Sequence, residues 1–306
     1  MTVTVTSPPR RAPWLRTLRY DAGLRALAGL GLVLYAVFIV LPLFMSLHSS
    51  LTNANPLYAS SKFVGLANYR QMLHDDALHS AVIYTLELAF GVTIVANVIG
   101  FAFAVLLNRT NLSYRVLRTL AFLPQVISGV ITGFVWETIL TENGVLNTLL
   151  LHLHVIGQPI DWLGDPHLAQ LSVGIVTAWV LSGFTTVVYL AALQSIPQEL
   201  YDAASIDGAG PSRRLRSITV PMTAPATTIC VTICMITVMK LYDIITVLTG
   251  GGPAFATQSA AQYIVQVAFT SDEFGYASAI AIALLAISAA LALSVTHVLR
   301  RREVNL

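Results

Sequence analysis

Four ionisable side chains sit inside long apolar runs of this sequence: Glu87, Glu137, Lys240 and Asp243. A charge within a membrane-length apolar segment is costly, and it faces a partner charge, a water-filled cavity or a transported solute. Lys240 and Asp243 are three apart and can pair along one helix, or Lys240 can pair with Glu87 or Glu137 across helices. Trp136, Tyr189 and Tyr242 offer ring faces on which a solute could stack, or else belong to an interfacial aromatic belt. These seven residues are the candidates for a substrate pathway. Catalysis finds no support: apart from His152 and His154 the histidines are scattered, and no nucleophile stands in a pattern with a base. Cys230 and Cys234, four apart in an apolar run, suit helix packing better than a disulfide. No metal site and no cofactor bound by this chain are expected. The two lysines, Lys62 and Lys240, follow Ser61 and Met239, so the Gly-Lys-Ser/Thr phosphate loop of an ATPase does not exist. Gly250, Gly251 and Gly252 read as a turn.

The elements that carry these residues follow from composition. Of 306 residues 56% are hydrophobic and only 10% charged, against about 25% charged in a soluble domain. A water-soluble enzyme and a disordered chain are both excluded. Runs long enough to cross a bilayer occur at about Ala26–Leu47, Val82–Leu107, Leu117–Leu140, Ser172–Gln194, Met222–Leu248 and Tyr276–Leu299. The expected fold is therefore an all-α membrane protein of six transmembrane helices. With six spans, 14 of the 17 basic residues fall on one side: Arg10, Arg11, Arg16, Arg19 and Arg25, then Arg109, Arg115 and Arg118, then Arg213, Arg214 and Arg216, then Arg300, Arg301 and Arg302. The positive-inside rule puts that side, and both termini, in the cytoplasm. The domain layout is a tail at 1–25, a six-helix transmembrane domain at 26–299 and a tail at 300–306. The first run is too long for the core of a signal peptide and reads as a retained helix. The opposite side carries longer connections rich in Asn, Gly and Pro. In this orientation Lys240 is roughly 27 Å along the fifth span, and all four intramembrane charges lie toward the outer half.

The fourth connection holds a second kind of candidate. Pro197, Gln198, Glu199 and Asp202 make a helix start, with polar and acidic groups in the first turns. Leu200, Ala203, Ala204 and Ile206 recur at near-helical spacing, and Gly208 and Gly210 end the helix or turn it sharply. Pro221 restarts a helix into the membrane. A short amphipathic helix outside the bilayer either rests on headgroups or docks a partner. Arg213 and Arg214 serve as positive-inside anchors or as a polar rim to that contact.

The spacing resembles the EAA loop of permease subunits of binding-protein-dependent ABC importers. That pattern is Glu-Ala-Ala, three residues, Gly, nine residues, then Ile-x-Leu-Pro. Asp202, Ala203, Ala204, Gly208, Ile218 and Pro221 occupy its positions, with Asp207 just before the glycine, Asp in place of Glu, and Val220 in place of Leu. Gly65-Leu66-Ala67-Asn68-Tyr69, Gly144-Val145-Leu146-Asn147 and Leu248-Thr249-Gly250-Gly251-Gly252-Pro253 resemble further segments of the carbohydrate and glycerol-phosphate branch. The resemblance implies a type I ABC importer permease fold. It also implies a second homologous permease, two ATPase subunits that use ATP and Mg, and an extracytoplasmic solute-binding protein. Membrane lipid surrounds the assembly and nucleic acid plays no part. Asp202, Ala203, Ala204, Asp207, Gly208, Ile218 and Pro221 would then couple to the ATPase, and the substrate would be a sugar or polyol. The competing readings are an ion-gradient-driven secondary transporter, whose charges would lie at midplane helix breaks, and an integral-membrane enzyme.

Overall fold

A computed structural model describes residues 25–55, 57–58, 61–109 and 111–301. The tail at 1–25, save Arg25, and the end of the tail at 300–306 lie outside the described residues. The regular structure among the described residues is helical, with one isolated antiparallel bridge, Thr52 to Phe63.

Four helices are long and apolar enough to span a membrane unbroken: α1 (Arg25–Ser49), α3 (Asp76–Leu107), α7 (Pro166–Ser195) and α13 (Phe274–Arg300). A short α2 (Ala67–Met72) precedes α3. The other two expected spans are broken. The run at Leu117–Leu140 is two helices, α4 (Leu112–Val126) and α5 (Gly129–Leu140), and the second continues into α6 (Val145–His152) after a turn; the two arms meet at 99°. Pro124 lacks the N–H that an α-helix needs there, and Ile127 and Ser128 are extended, with ψ of 135° and 141°. The run at Met222–Leu248 is likewise interrupted. After α8 (Gln198–Ile206), α9 (Pro211–Met222) meets α10 (Ala224–Met239) at 63°, and Pro225 lies in the first turn of α10. Residues 240–242 then separate α10 from α11 (Asp243–Leu248). The fold thus holds six spans if each bent pair counts as one. A further helix, α12 (Ala260–Phe269), stands in the connection expected to be mere turns.

The core is the α3–α7 pair, which runs parallel. Gly174 faces Leu88, Thr185 Oγ1 donates to Ala96 O at 2.8 Å, and Tyr189 Oη donates to Asn97 Oδ1 at 2.8 Å. A Cβ at Gly100 would stand 1.9 Å from Thr185 Oγ1, so only glycine permits this approach. α10 lies against α3, and Thr232 and Thr296 hydroxyls join α10 to α13 at 2.9 Å. The two broken spans meet each other: α11 packs on α5 across Gly129 and Gly133, where a Cβ would collide with Asp243 and Val247.

Candidate functional site

The exposed helix forms where the sequence places it, at Gln198–Ile206, and none of its residues is buried. Its end is a Schellman turn. Gly208 adopts φ +74°, its N–H reaches Ser205 O at 3.1 Å, and the Ala209 N–H reaches Ala204 O at 2.8 Å. Nothing lies within 4 Å of a Cβ built on Gly208; glycine is required for its backbone angle and not for space. The next helix begins at Pro211 rather than at Pro221, because Gly210 supplies the extended N-cap and Pro211 the first-turn residue. Pro221 sits inside that continuing helix, two residues before the bend at Thr223.

Two contacts fix α8 to the body. The Tyr201 hydroxyl is 3.1 Å from Thr219 Oγ1, and its ring and Ile218 both pack against the buried cluster that contains Leu193, Ile196 and Cys230. Arg214 Nε donates to Ala209 O at 2.7 Å, which turns this arginine inward as a clamp on the loop. Arg213 and Arg216 remain exposed beside a cavity of about 480 Å³. Asp202, Ala203, Asp207 and Gly208 are exposed together, Ala204 is half-buried, and Ile206 is 87% exposed. Among the predicted coupling residues, Ala204, Ile218 and Pro221 are half-buried, Ile218 against the protein's own core, and Asp202, Ala203, Asp207 and Gly208 are exposed. Ile206, so bare on this helix, is a further candidate for the contact; the spacing marks it only as one member of the apolar stripe.

The intramembrane candidates do not converge. Among the described residues Lys240 makes no ion pair with Glu87, Glu137 or Asp243, so neither anticipated pairing forms. The reason is the break: Lys240 ends α10 with φ −106° and ψ 11°, Asp243 opens α11, and the helical register that would stack them is lost. Lys240 is exposed and Tyr242 is 38% exposed at this break. Asp243 instead lies at the start of α5, its Oδ2 1.8 Å from where a Gly129 Cβ would be. Ser128 gives that helix no side-chain cap, and a carboxylate suits the positive end of a helix dipole. Trp136 stacks edge-on against Trp179, with centroids 5.5 Å apart, and Glu137 beside it is half-buried. Tyr189 is 2% exposed, bonded to Asn97 and edge-packed on Phe101, in the same cluster as Tyr201. It is a packing residue at the α8 end of α7. Glu87 lines two adjoining cavities whose walls include neither Glu137, Lys240 nor Asp243.

Other polar residues have clear work to do. Asn147 Nδ2 donates to Glu142 O and Ile160 O, and its Oδ1 accepts from Ile160 N and Trp162 Nε1. Asn68 Nδ2 donates to Ser50 O and Thr52 O, and the Tyr69 hydroxyl meets Ser50 Oγ at 2.8 Å. The asparagines of the quoted segments thus clasp loops. Ser259 Oγ donates to Leu241 O at 2.7 Å, and the Ala260 N–H reaches Thr85 Oγ1 at 2.9 Å, so α12 pins the break to α3. Asp75 caps α3 through Leu78 N and accepts the hydroxyls of Tyr263 at 2.7 Å and Tyr276 at 2.6 Å. Burial acts to raise its pKa, but the bonds from Tyr276, Leu78 and Tyr263 outweigh it and hold the carboxyl below its ordinary value. A single aspartate ahead of an apolar run carries no sign of partners 188 and 201 residues away.

Six apolar spans, two of them broken and meeting each other, with an exposed helix between the fourth and fifth, define a polytopic membrane permease. Residues 96–304 match the family described as "Binding-protein-dependent transport system inner membrane component". The chain belongs to that family and is a multi-pass membrane subunit of an ABC importer, not an enzyme. It is 33% identical over 252 residues to the trehalose/maltose transport system permease protein MalF of Thermococcus litoralis, covering 82% of this chain and 84% of that one. It is 30% identical over 270 residues to the probable starch degradation products transport system permease protein AmyD of Thermoanaerobacterium thermosulfurigenes, covering 88% and 91%. Its fold is similar to that of a chain of a bacterial ABC transporter that imports the acidic polysaccharide alginate, with a TM-score of 0.81, 21% identity, and 95% and 99% of the two chains covered.

Proposed function

We propose that the chain is one of two homologous permeases that pass a sugar or related polyol inward by alternating access. An extracytoplasmic binding protein delivers the solute, and two cytoplasmic ATPases that bind ATP and Mg drive the cycle through α8. The observation that carries this reading is the α8 surface. Asp202, Ala203, Ile206 and Asp207 stand exposed on a helix with no buried face, while Tyr201 and Arg214 lock the helix to the spans behind it. A surface that is bare on one side and rigid on the other transmits displacement. Relatives named for trehalose/maltose and starch products support the substrate class, and a similarly folded transporter bound to a periplasmic protein carrying an alginate pentasaccharide supports the delivery step.

The exposed Lys240 and Tyr242 at the break of the fifth span support a water-filled passage bounded by the second permease, since an unpaired ammonium facing hydrocarbon would be expensive. Lys240, Tyr242, Glu137 and Trp136 are the residues assigned to that passage. Asp243 holds the end of α5 beside it, and the Arg-rich connections and both termini lie in the cytoplasm. Co-purification tests the assembly: the tagged chain should bring down one further permease and two ATPase copies. Solute uptake into liposomes by the purified chain alone would overturn the reading. So would accessibility of a cysteine placed at Asp207 from the outside of whole cells.

A further inference from the structure

The parallel α3–α7 pair leaves a groove on its surface that changes character along its length. One end is a cavity of about 620 Å³ whose wall carries Asp76, Ser80, Glu87, Gln170, Gln258 and Gln266. The adjoining cavity, about 370 Å³, shares Tyr84, Glu87 and Gln170 with it and is otherwise chiefly apolar, lined by Leu88, Val92, Val95, Leu171 and Ile175. Gly91 and Gly174 leave the cleft its depth. A Cβ on Gly91 would meet nothing within 4 Å, and one on Gly174 only Leu88 Cδ1 at 3.7 Å. Tyr84, on the shared wall, is 6% exposed, and its buried hydroxyl has no hydrogen-bond partner.

The change of character falls at the depth of a membrane boundary. At 1.5 Å per residue the 32 residues of α3 extend about 48 Å, against a hydrocarbon thickness of about 30 Å. The surplus is about twelve residues. The polar residues Asp76, His79 and Ser80 place it at the N-terminal end, which sets Glu87 near the boundary, with the polar cavity above it and the apolar cleft below. Ile83, Val95, Leu171 and Ile175 are all more than 40% exposed, so the groove opens sideways toward the bilayer.

We propose that this groove holds a membrane phospholipid with an amine headgroup, its acyl chain in the cleft of Gly91 and Gly174 and its ammonium on Glu87, where the two cavities join. Neither wall contains a lysine or arginine, so charge complementarity selects a cationic group over an anionic headgroup. His167, which lies on the cleft wall, supplies a ring N–H donor for the phosphodiester. The site is separate from the passage at Lys240 and does not depend on which solute is carried.

The test uses the intact transporter in nanodiscs with a photoactivatable phosphatidylethanolamine carrying a diazirine in its acyl chain. Labelling should fall on residues 88–95 or 171–178. Unlabelled phosphatidylethanolamine should displace the label about tenfold better than phosphatidylcholine or phosphatidylglycerol, the ratio expected of one charge-assisted contact. Glu87→Gln should abolish that preference while labelling persists. Gly91→Leu, which fills open space and so should leave thermal stability intact, should abolish the labelling. Equal displacement by the three lipids would overturn the proposal. So would labelling elsewhere, or a photocrosslinker at residue 175 that captures the second permease instead of lipid.

Discussion

The two ends of the molecule are held in opposite ways. At the end where α3 and α7 begin, polar side chains reach across the chain to fix backbone and other side chains: Asn68, Asn147, Ser259 and Asp75 make ten such bonds between them, two of them spanning more than a hundred residues. At the α8 end, one hydroxyl pair and one arginine hold a helix that buries none of its residues. The clasped end braces its own loops. The α8 end leaves a prepared face free, which is the arrangement expected where a separate subunit must attach and pull. Side-chain changes at the clasped end should therefore cost folding, and changes at the other end should cost coupling.

The largest effect on this contrast should come from Asn147→Ala. It leaves Ile160 N and Trp162 Nε1 without an acceptor in a buried setting and should destabilise the protein by about 3 kcal/mol, read as a lowered Tm and less folded protein in the membrane. Asp75 comes next. Its folded pKa is depressed, so its contribution is present above the unfolded value near 4 and is lost as pH falls through the lower folded value. Thermal stability should fall below about pH 4, and Asp75→Asn should be less stable at neutral pH and lose that part of the acid dependence. At the other end, Gly208→Val places a branched residue at φ +74°, costing about 1–2 kcal/mol locally. The protein should still fold, but ATPase retention and uptake should drop sharply. Normal retention and uptake would erase the contrast. The smallest effect on stability should be that of Tyr201→Phe, which removes one hydroxyl contact worth about 1 kcal/mol. Its signature should be ATP hydrolysis that persists with reduced uptake, since α8 is then less firmly tied to the fifth span.

The sequence made the long elements legible because hydropathy over twenty residues is a local property: α1, α3, α7 and α13 lie where the apolar runs do. α8 was equally legible, since Pro197, the Leu200–Ile206 stripe and Gly208 encode its start, face and stop within a dozen residues. The breaks were not. Pro124 hinted at the first, but the second depends on Leu241 O being met by Ser259, eighteen residues on, and hydropathy runs unchanged through both. The same blindness misled the charge reading. Lys240 and Asp243 pair only if the helix continues, and Tyr189 looks like an interfacial aromatic until Asn97 and Phe101 are seen around it. Glu87 was recognisable as a costly charge, but its groove required the neighbouring helix. Asn68 and Asn147 stood in recognisable segments, yet nothing in those segments says that their task is to hold turns.

The meeting of the two broken spans constrains how the protein is made. α5 finds its largest packing surface on α11, more than a hundred residues later in the chain. Interrupted backbone is not tolerated in bare lipid. The half-built third crossing must therefore wait in a wet or protected place, within the insertion machinery or against it, until the ribosome has delivered residues beyond Ser259. Completion of the third crossing is thus a late event, and a nascent chain halted before Asp243 should remain bound to its insertase.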